Sequence, residues 1–138
     1  MSIAENINKI KNEISETATL VAVSKTKPNE LIQEAYDLGQ RIFGENKVQE
    51  LVEKYEDLPK DIEWHLIGHL QTNKVKFIAP FISLIHAIDS FKLLKEINKQ
   101  ANKNNRIINC LLQVKIAEEE SKFGLTTSEA ETLISSEE

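Results

Sequence analysis

The chain of 138 residues is 41% hydrophobic, which is enough for one ordinary core and too little for two domains. Its formal net charge is -5 and no cluster of lysines alternates with aromatic residues, so nucleic acid is not expected as a partner. The charged N-terminus argues against a secretory signal or a membrane span, and the single cysteine, Cys110, lies in an apolar run that favours a buried thiol. We therefore expect one soluble cytoplasmic domain over residues 1–138.

Taken in chain order, the apolar residues predict helices that alternate with short strands. Isoleucines spaced by three and four residues predict a leading amphipathic helix over residues 3–14. Five strands are predicted after it, at residues 20–23, 41–43, 62–67, 84–88 and 107–116. Each strand leads into a helix, and these helices are predicted at residues 29–38, 48–58, 75–78, 91–101 after the caps Asp89 and Ser90, and 126–134.

Several element ends carry turn or capping residues. Gly39 is a natural C-cap for the second helix, and Gly44 reads as a bend after the second strand. Thr126 and Glu129 have the spacing of a capping box at the start of the last helix. The run 107–116 is nearly continuous in apolar residues, so we expect this strand to be covered on both faces.

Five strand–helix units in succession indicate an α/β fold built on parallel strands. Two architectures compete: an open doubly wound sheet, and the first five units of a (β/α)₈ TIM-type barrel, which as a whole needs about 250 residues. Length alone favours the open sheet. The sequence contains neither G-x-G-x-x-G after the first strand nor a P-loop motif, which disfavours a nucleotide enzyme.

Lys25 stands out chemically because it follows the first strand and enters the turn before Pro28. Ligands of α/β folds bind at this carboxyl end of the strands. Partial burial, with Lys27 nearby, would lower the pKa of Lys25 and make its amine a nucleophile for a Schiff base. An exposed lysine in a polar turn is the commoner arrangement, and the residues alone leave it open.

Five segments, read in order, resemble one known family. They are AVSKTKP at 22–28, FGENKVQE at 43–50, WHLIGHLQTNK at 64–74, HAIDS at 86–90 and ESKFG at 120–124. Together they resemble the pyridoxal phosphate homeostasis protein family, whose members look like the barrel domain of alanine racemase standing alone. The resemblance implies a barrel-type fold and a carrier that holds pyridoxal 5′-phosphate (PLP) as a Schiff base on Lys25 without turnover. Racemase activity would rest on analogy of fold alone.

Three further residues belong to the cofactor site by resemblance. Asn46 lies near the cofactor ring in the family, although its position also allows a helix N-cap with Gln49 closing a capping box. His65 lies close to the cofactor in the family, and a satisfied core histidine is the alternative. Gly68 indicates a positive φ or a close approach. The other two histidines are too isolated in the sequence to indicate zinc, so no metal is expected.

One departure from the family concerns length. Its members are longer, and their further part would supply the last three barrel strands and the Ser/Thr/Gly-rich loops that look like a phosphate cradle. We therefore expect weak or absent cofactor binding, and the alternative to a carrier is a truncated or engineered structural fragment without a competent cofactor site. Five strands would also leave two sheet edges open, which predicts either a homodimer through those edges or a rearrangement to an open sheet.

Overall fold

Five parallel strands form one sheet, and their order across the sheet is their order in the sequence. The computed structural model describes residues 2–116 and 124–135. The strands are β1 (Ala22–Val23), β2 (Ile42–Glu45), β3 (Glu63–Leu66), β4 (Leu84–Ile88) and β5 (Asn109–Leu112). Val23 pairs with Gly44, Gly44 with His65 and His65 with Leu84, so these four residues form one row across the sheet.

The helices follow the predicted pattern to within a few residues at each end. They are α1 (Ile3–Glu13), α2 (Asn29–Asp37), α3 (Val48–Asp57), α4 (Val75–Ile78), α5 (Phe91–Lys103) and α6 (Thr127–Ile134), and a 3₁₀ turn at Thr72–Lys74 leads into α4. The predicted capping box of Thr126 and Glu129 is present at α6, and Gly39 follows α2 with a φ of 102°. Within the described ranges, no helix has the length and apolar character needed to cross a bilayer.

The core lies between the sheet and the helices on one face. Helix α3 contacts β2 and β3, α5 contacts β4, and α4 packs between α3 and α5. The strand side chains on this face are buried: Phe43, Glu45, Trp64, Leu66 and Ile85. Successive residues of a strand point to opposite faces, so the intervening side chains lie on the other face. We call it the inner face, and its members include Val23, His65, Leu84, His86 and Leu111.

The strand order is that of a barrel wall, so the open doubly wound sheet is wrong. A doubly wound sheet reverses direction at a switch point, which sends helices to both faces. Here every crossover advances the sheet in the same direction. Because crossovers between parallel strands are right-handed, this order keeps the helices on one face. The expectation that the fifth strand is covered on both faces is also wrong, because the inner face has no covering layer in the described residues and Leu111 of β5 is 50% exposed.

Two local predictions need correction. Gly44, expected as a bend, lies inside β2, where a Cβ atom would come within 3.2 Å of side-chain atoms of Ile67 and Val21. Cys110 is half-buried and not fully buried, and this burial raises the pKa of its thiol to about 11. Most of the ESKFG segment falls in residues 117–123, which lie outside the described part of the chain.

Candidate functional site

Lys25 lies immediately beyond the carboxyl end of β1. The Ser24 N–H donates to the Gly44 carbonyl at 2.9 Å, and the Lys27 N–H donates to the Ser24 carbonyl at 3.1 Å, which closes a turn. Strand alternation places Ser24 on the helix side and Lys25 on the inner face. The predicted partial burial is wrong: Lys25 is exposed, because β1 is an edge strand of the described sheet and the inner face beside it is uncovered.

A buried ionic network lies under this turn, on the helix side. Glu45 ends β2 and is fully buried, and its carboxylate accepts a hydrogen bond from Ser24 Oγ. Lys54 of α3 is also buried, and its Nζ donates to Glu45 Oε1 at 2.9 Å, to Glu45 Oε2 at 3.0 Å and to the Ser24 carbonyl at 2.8 Å. A buried ammonium is stable only when it is paired and hydrogen-bonded, and these contacts meet that condition.

A second carboxylate, that of Glu50, links the network to the backbone that follows Lys25. Glu50 Oε2 accepts from Lys54 Nζ at 2.8 Å and from the Thr26 N–H at 2.7 Å. Thr26 has a φ of 65°, the left-handed region that β-branched residues rarely adopt. Both chain neighbours of Lys25 are thus held by side chains of α3. The Lys25 ammonium itself makes no hydrogen bond or ion pair with residues 2–116 or 124–135.

The two carboxylates of the network differ in proton affinity. Burial raises the pKa of Glu45, and the hydrogen bonds from Ser24 and Lys54 oppose that rise. The hydrogen bond from Lys54 lowers the pKa of Glu50, and the Thr26 amide lowers it further. Glu50 is therefore the more firmly ionised of the two, and it is the carboxylate that contacts the turn.

Asn46 and Gly68 meet at the carboxyl ends of β2 and β3. A Cβ atom on Gly68 would lie 2.0 Å from Asn46 Oδ1 and 2.7 Å from the Asn46 carbonyl oxygen, so a larger residue is excluded. Gly68 does not have a positive φ, so its requirement is space. The alternative role for Asn46 as a helix cap is wrong, since Lys47 is the N-cap of α3 and no side-chain hydrogen bond caps this helix.

His65 and His86 form a hydrogen-bonded pair on the inner face. His65 Nδ1 and His86 Nε2 are 3.0 Å apart. Burial lowers the pKa of both imidazoles, and His86 lowers the pKa of His65 further. Both rings therefore favour the neutral form, in which one nitrogen donates and the other accepts. The expectation that His86 is isolated is wrong, because β3 and β4 are adjacent strands and bring the two rings together.

Potential metal ligands do not cluster in the parts of the chain that the structure describes. No group of three or more histidine, cysteine, aspartate or glutamate side chains there is arranged to hold an ion. His69, which follows β3, lies with its Nδ1 3.2 Å from Asp89 Oδ2 at the end of β4. His69 and Asp89 thus form a pair.

The ionic network was not predicted, although the sequence carries a signal for it. Lys54 falls three residues after Leu51 and four before Leu58, on the buried stripe of α3, where a lysine is unusual. Glu45 occupies the position two residues after Phe43 and therefore shares its core-facing side of β2. Opposite charges at core positions of successive elements indicate a buried pair.

Comparison with known proteins finds a matching family and named relatives. The family model described as alanine racemase, N-terminal domain, matches residues 1–136. Three relatives are each named pyridoxal phosphate homeostasis protein. The one from Aquifex aeolicus is 48% identical over 78% of this chain and 48% of its own length. Those from Haemophilus influenzae and Escherichia coli K12 are 40% and 39% identical, over 96% and 95% of this chain, and each match covers 62% of the relative.

Two solved structures of PipY from Synechococcus elongatus PCC7942 have the same fold. The structure without PLP matches with a TM-score of 0.88 and 36% identity, over 95% of this chain and 62% of PipY. The structure with PLP bound matches with a TM-score of 0.87 and 35% identity, over 96% of this chain and 62% of PipY. The predicted barrel-type sheet is thereby confirmed. The chain spans less than two thirds of the length of the relatives that it matches.

Replacing Lys54 with methionine is expected to destabilise the fold strongly. The variant leaves the Glu45 carboxylate buried without its cation, a change that typically costs about 3–5 kcal/mol. Urea denaturation followed by circular dichroism measures the difference in the free energy of unfolding between Lys54→Met and the parent.

Two controls accompany this measurement. Lys92 lies exposed on α5, and Lys92→Met is expected to change stability by less than about 0.5 kcal/mol. The double variant Lys54→Met/Glu45→Leu removes the unpaired charge as well, so it should recover part of the loss. A Lys54→Met chain as stable as the parent would contradict the role of the network.

The histidine pair predicts a loss of stability in mild acid. Both pKa values are lowered in the folded chain, so below the ordinary value of 6.5 the unfolded chain binds more protons, and the free energy of unfolding falls as the pH falls. The variant His86→Gln keeps a hydrogen-bonding group but cannot titrate. Urea midpoints at about pH 7.5 and about pH 5.5 should differ more for the parent than for His86→Gln. Equal differences would show that the pair does not couple to folding.

Proposed function

The chain belongs to the family of the alanine racemase N-terminal domain, and on this basis we propose that it is a PLP carrier that binds the cofactor through Lys25 and stores or delivers it without turnover. The relatives that it resembles are homeostasis proteins by name, which supports a role in handling the cofactor. We propose the cytoplasm as the place where such a carrier acts.

The observation that carries the proposal is the placement of the Lys25 amine. It stands on the inner face at the carboxyl end of β1, which is the ligand-binding edge of a barrel-type sheet. The backbone on either side of Lys25 is held by Glu50 and Lys54 of α3, while its ammonium has no partner in the described residues. The amine is therefore held at this edge of the sheet and is accessible to a reagent.

The inner-face groups suit the aldehyde and ring of PLP. Lys25 would supply the amine that condenses with the aldehyde of PLP, with loss of water. The Asn46 amide and the His65 imidazole are the groups that would hydrogen-bond to polar ring substituents. Gly68 contributes by letting Asn46 approach β3 closely. Bound in this way, the aldehyde is masked until transfer to another amine, which is the chemistry a carrier needs.

The proposed complex lacks an identified binding site for the phosphate of PLP. A phosphate dianion is ordinarily held by helix N-termini or by clusters of backbone N–H groups. The Ser/Thr/Gly-rich loops that the family resemblance predicts for this task do not occur within residues 1–138. We therefore propose weak binding by residues 1–138 on their own, so labelling experiments with them need excess cofactor and chemical trapping.

The substitution Lys25→Ala is expected to abolish covalent attachment of PLP. The parent, incubated with excess PLP and reduced with borohydride, should carry one stable pyridoxyl group on Lys25, located by peptide mass spectrometry. The variant should lose this label with a change in unfolding free energy below about 0.5 kcal/mol, because the removed side chain is exposed.

Lys27→Ala is the matched control, since Lys27 is also exposed and lies in the same turn. This variant should label on Lys25 to the same extent as the parent. Equal labelling of Lys25→Ala and the parent would refute the assignment of Lys25.

We also propose that the uncovered inner face and the edge strands pair two copies of this chain. β1 and β5 are the edges of the described sheet, and apolar side chains beside them are exposed: Val23 by 54%, Leu111 by 50% and Val114 by 38%. Exposed apolar edges invite pairing with another chain. Burying about 500 Å² of such surface is worth roughly 12 kcal/mol at about 25 cal/mol per Å².

Light scattering is expected to give the mass of a dimer. Leu111→Lys places a charge on the inner face and should shift the mass toward the monomer. Leu38→Lys is the matched control, because Leu38 is 45% exposed at the end of α2, on the helix side of the sheet, and should leave the dimer intact. A monomer at all protein concentrations would contradict the pairing.

A further inference from the structure

We propose that Glu50 is a positioning residue for Lys25, which holds the turn so that the amine is presented on the inner face. This role rests on the proposed function of Lys25 as the attachment point for PLP. Glu50 lies on α3 and contacts neither the Lys25 side chain nor the inner face. Its influence is therefore on the backbone that carries the amine.

The first observation is the conformation of Thr26. Its φ of 65° is left-handed, and in the described residues it shares a positive φ outside glycine only with Asn105. Asparagine tolerates this region, whereas a β-branched threonine adopts it at a steric cost and relaxes unless its surroundings hold it. The turn that follows Lys25 is thus a shape that the chain does not adopt by local preference.

The second observation is what holds that shape. The Thr26 N–H donates to Glu50 Oε2 at 2.7 Å, and the same oxygen accepts from Lys54 Nζ at 2.8 Å. Lys54 also donates to the Ser24 carbonyl at 2.8 Å. The residues before and after Lys25 are therefore fixed to the same helix through one shared cation. The contact from Glu50 is charge-assisted, which makes it stronger than a neutral hydrogen bond.

The third observation separates positioning from general stability. The buried partner of Lys54 is Glu45, which receives two hydrogen bonds from it and one from Ser24. Removing Glu50 leaves this buried pair intact. The main consequence is then confined to the turn, where Thr26 is released from its left-handed conformation and the amine of Lys25 samples more orientations. Loss of orientation slows a reaction that needs the amine in one place.

The experiment compares the rate of PLP attachment in Glu50→Ala and Glu53→Ala chains. Glu53 lies exposed on the same helix three residues further on, so it matches Glu50 in charge and helix propensity. Borohydride quenching at successive times gives the rate of labelling on Lys25. Glu50→Ala is expected to label about tenfold more slowly than the parent, which is the order of effect expected for the loss of one charge-assisted hydrogen bond. Glu53→Ala is expected to label at the parental rate.

A second substitution tests the cause. Glycine adopts a positive φ without steric cost, so Glu50→Ala/Thr26→Gly should recover most of the lost rate. A variant that was slow only because it was less stable would not be rescued. Amide hydrogen exchange measures the stability of the turn in the absence of cofactor. The Thr26 N–H should exchange faster in Glu50→Ala than in Glu53→Ala.

The outcomes are distinguishable. Equal labelling rates for the two single variants, or equal exchange at Thr26, overturn the positioning role while leaving Lys25 as the attachment point. A parent chain that takes no label on Lys25 overturns the proposed function and this role together.

Discussion

The fold around the candidate site depends on one buried cation. The Lys54 ammonium contacts four oxygen atoms, which belong to Glu45, Glu50 and the Ser24 carbonyl. Removing an ammonium from water has a large free-energy cost, which is offset only when the charge is paired and hydrogen-bonded. Because those partners come from the end of β1, the end of β2 and α3, satisfying the charge also fixes how these three elements sit together. The same requirement fixes the position of the turn that carries Lys25.

The helix face of the sheet stabilises the fold, whereas the inner face carries the groups proposed for the chemistry. On the helix face, Phe43 and Trp64 pack with ring centroids 5.9 Å apart inside a close-packed apolar core. On the inner face, an amine, an amide and two imidazoles remain accessible. A strand that slipped by one residue would exchange its two sets of side chains. The Ser24 N–H bond to Gly44 and the bond from Ser24 Oγ to Glu45 hold β1 in register, so they also decide on which face Lys25 lies.

The sequence predicts what depends on local pattern and misses what depends on partners from elsewhere in the chain. The strand at residues 84–88 and the Thr126–Glu129 capping box follow from apolar periodicity and cap spacing, and both are confirmed. Lys25 at the end of its strand follows in the same way. The local pattern does not predict the exposure of Lys25 or the pairing of His65 with His86, because each depends on which strands are neighbours and which face of the sheet is covered. The prediction of a bend at Gly44 was wrong because glycine also occurs inside strands, where neighbouring side chains leave little room for a Cβ atom.

The contact between His65 and His86 links the tautomers of the two rings. If His65 Nδ1 carries the proton, His86 Nε2 accepts the hydrogen bond, and the other nitrogen of the neutral His65 ring, Nε2, is then an acceptor. If His86 Nε2 carries the proton instead, His65 Nδ1 accepts and its Nε2 becomes a donor. The two rings therefore change tautomer together: when the shared proton moves from His65 to His86, His65 gains a proton at Nε2 and His86 loses one from Nδ1, so both rings stay neutral. This coupled exchange inverts the hydrogen-bonding polarity of His65 Nε2.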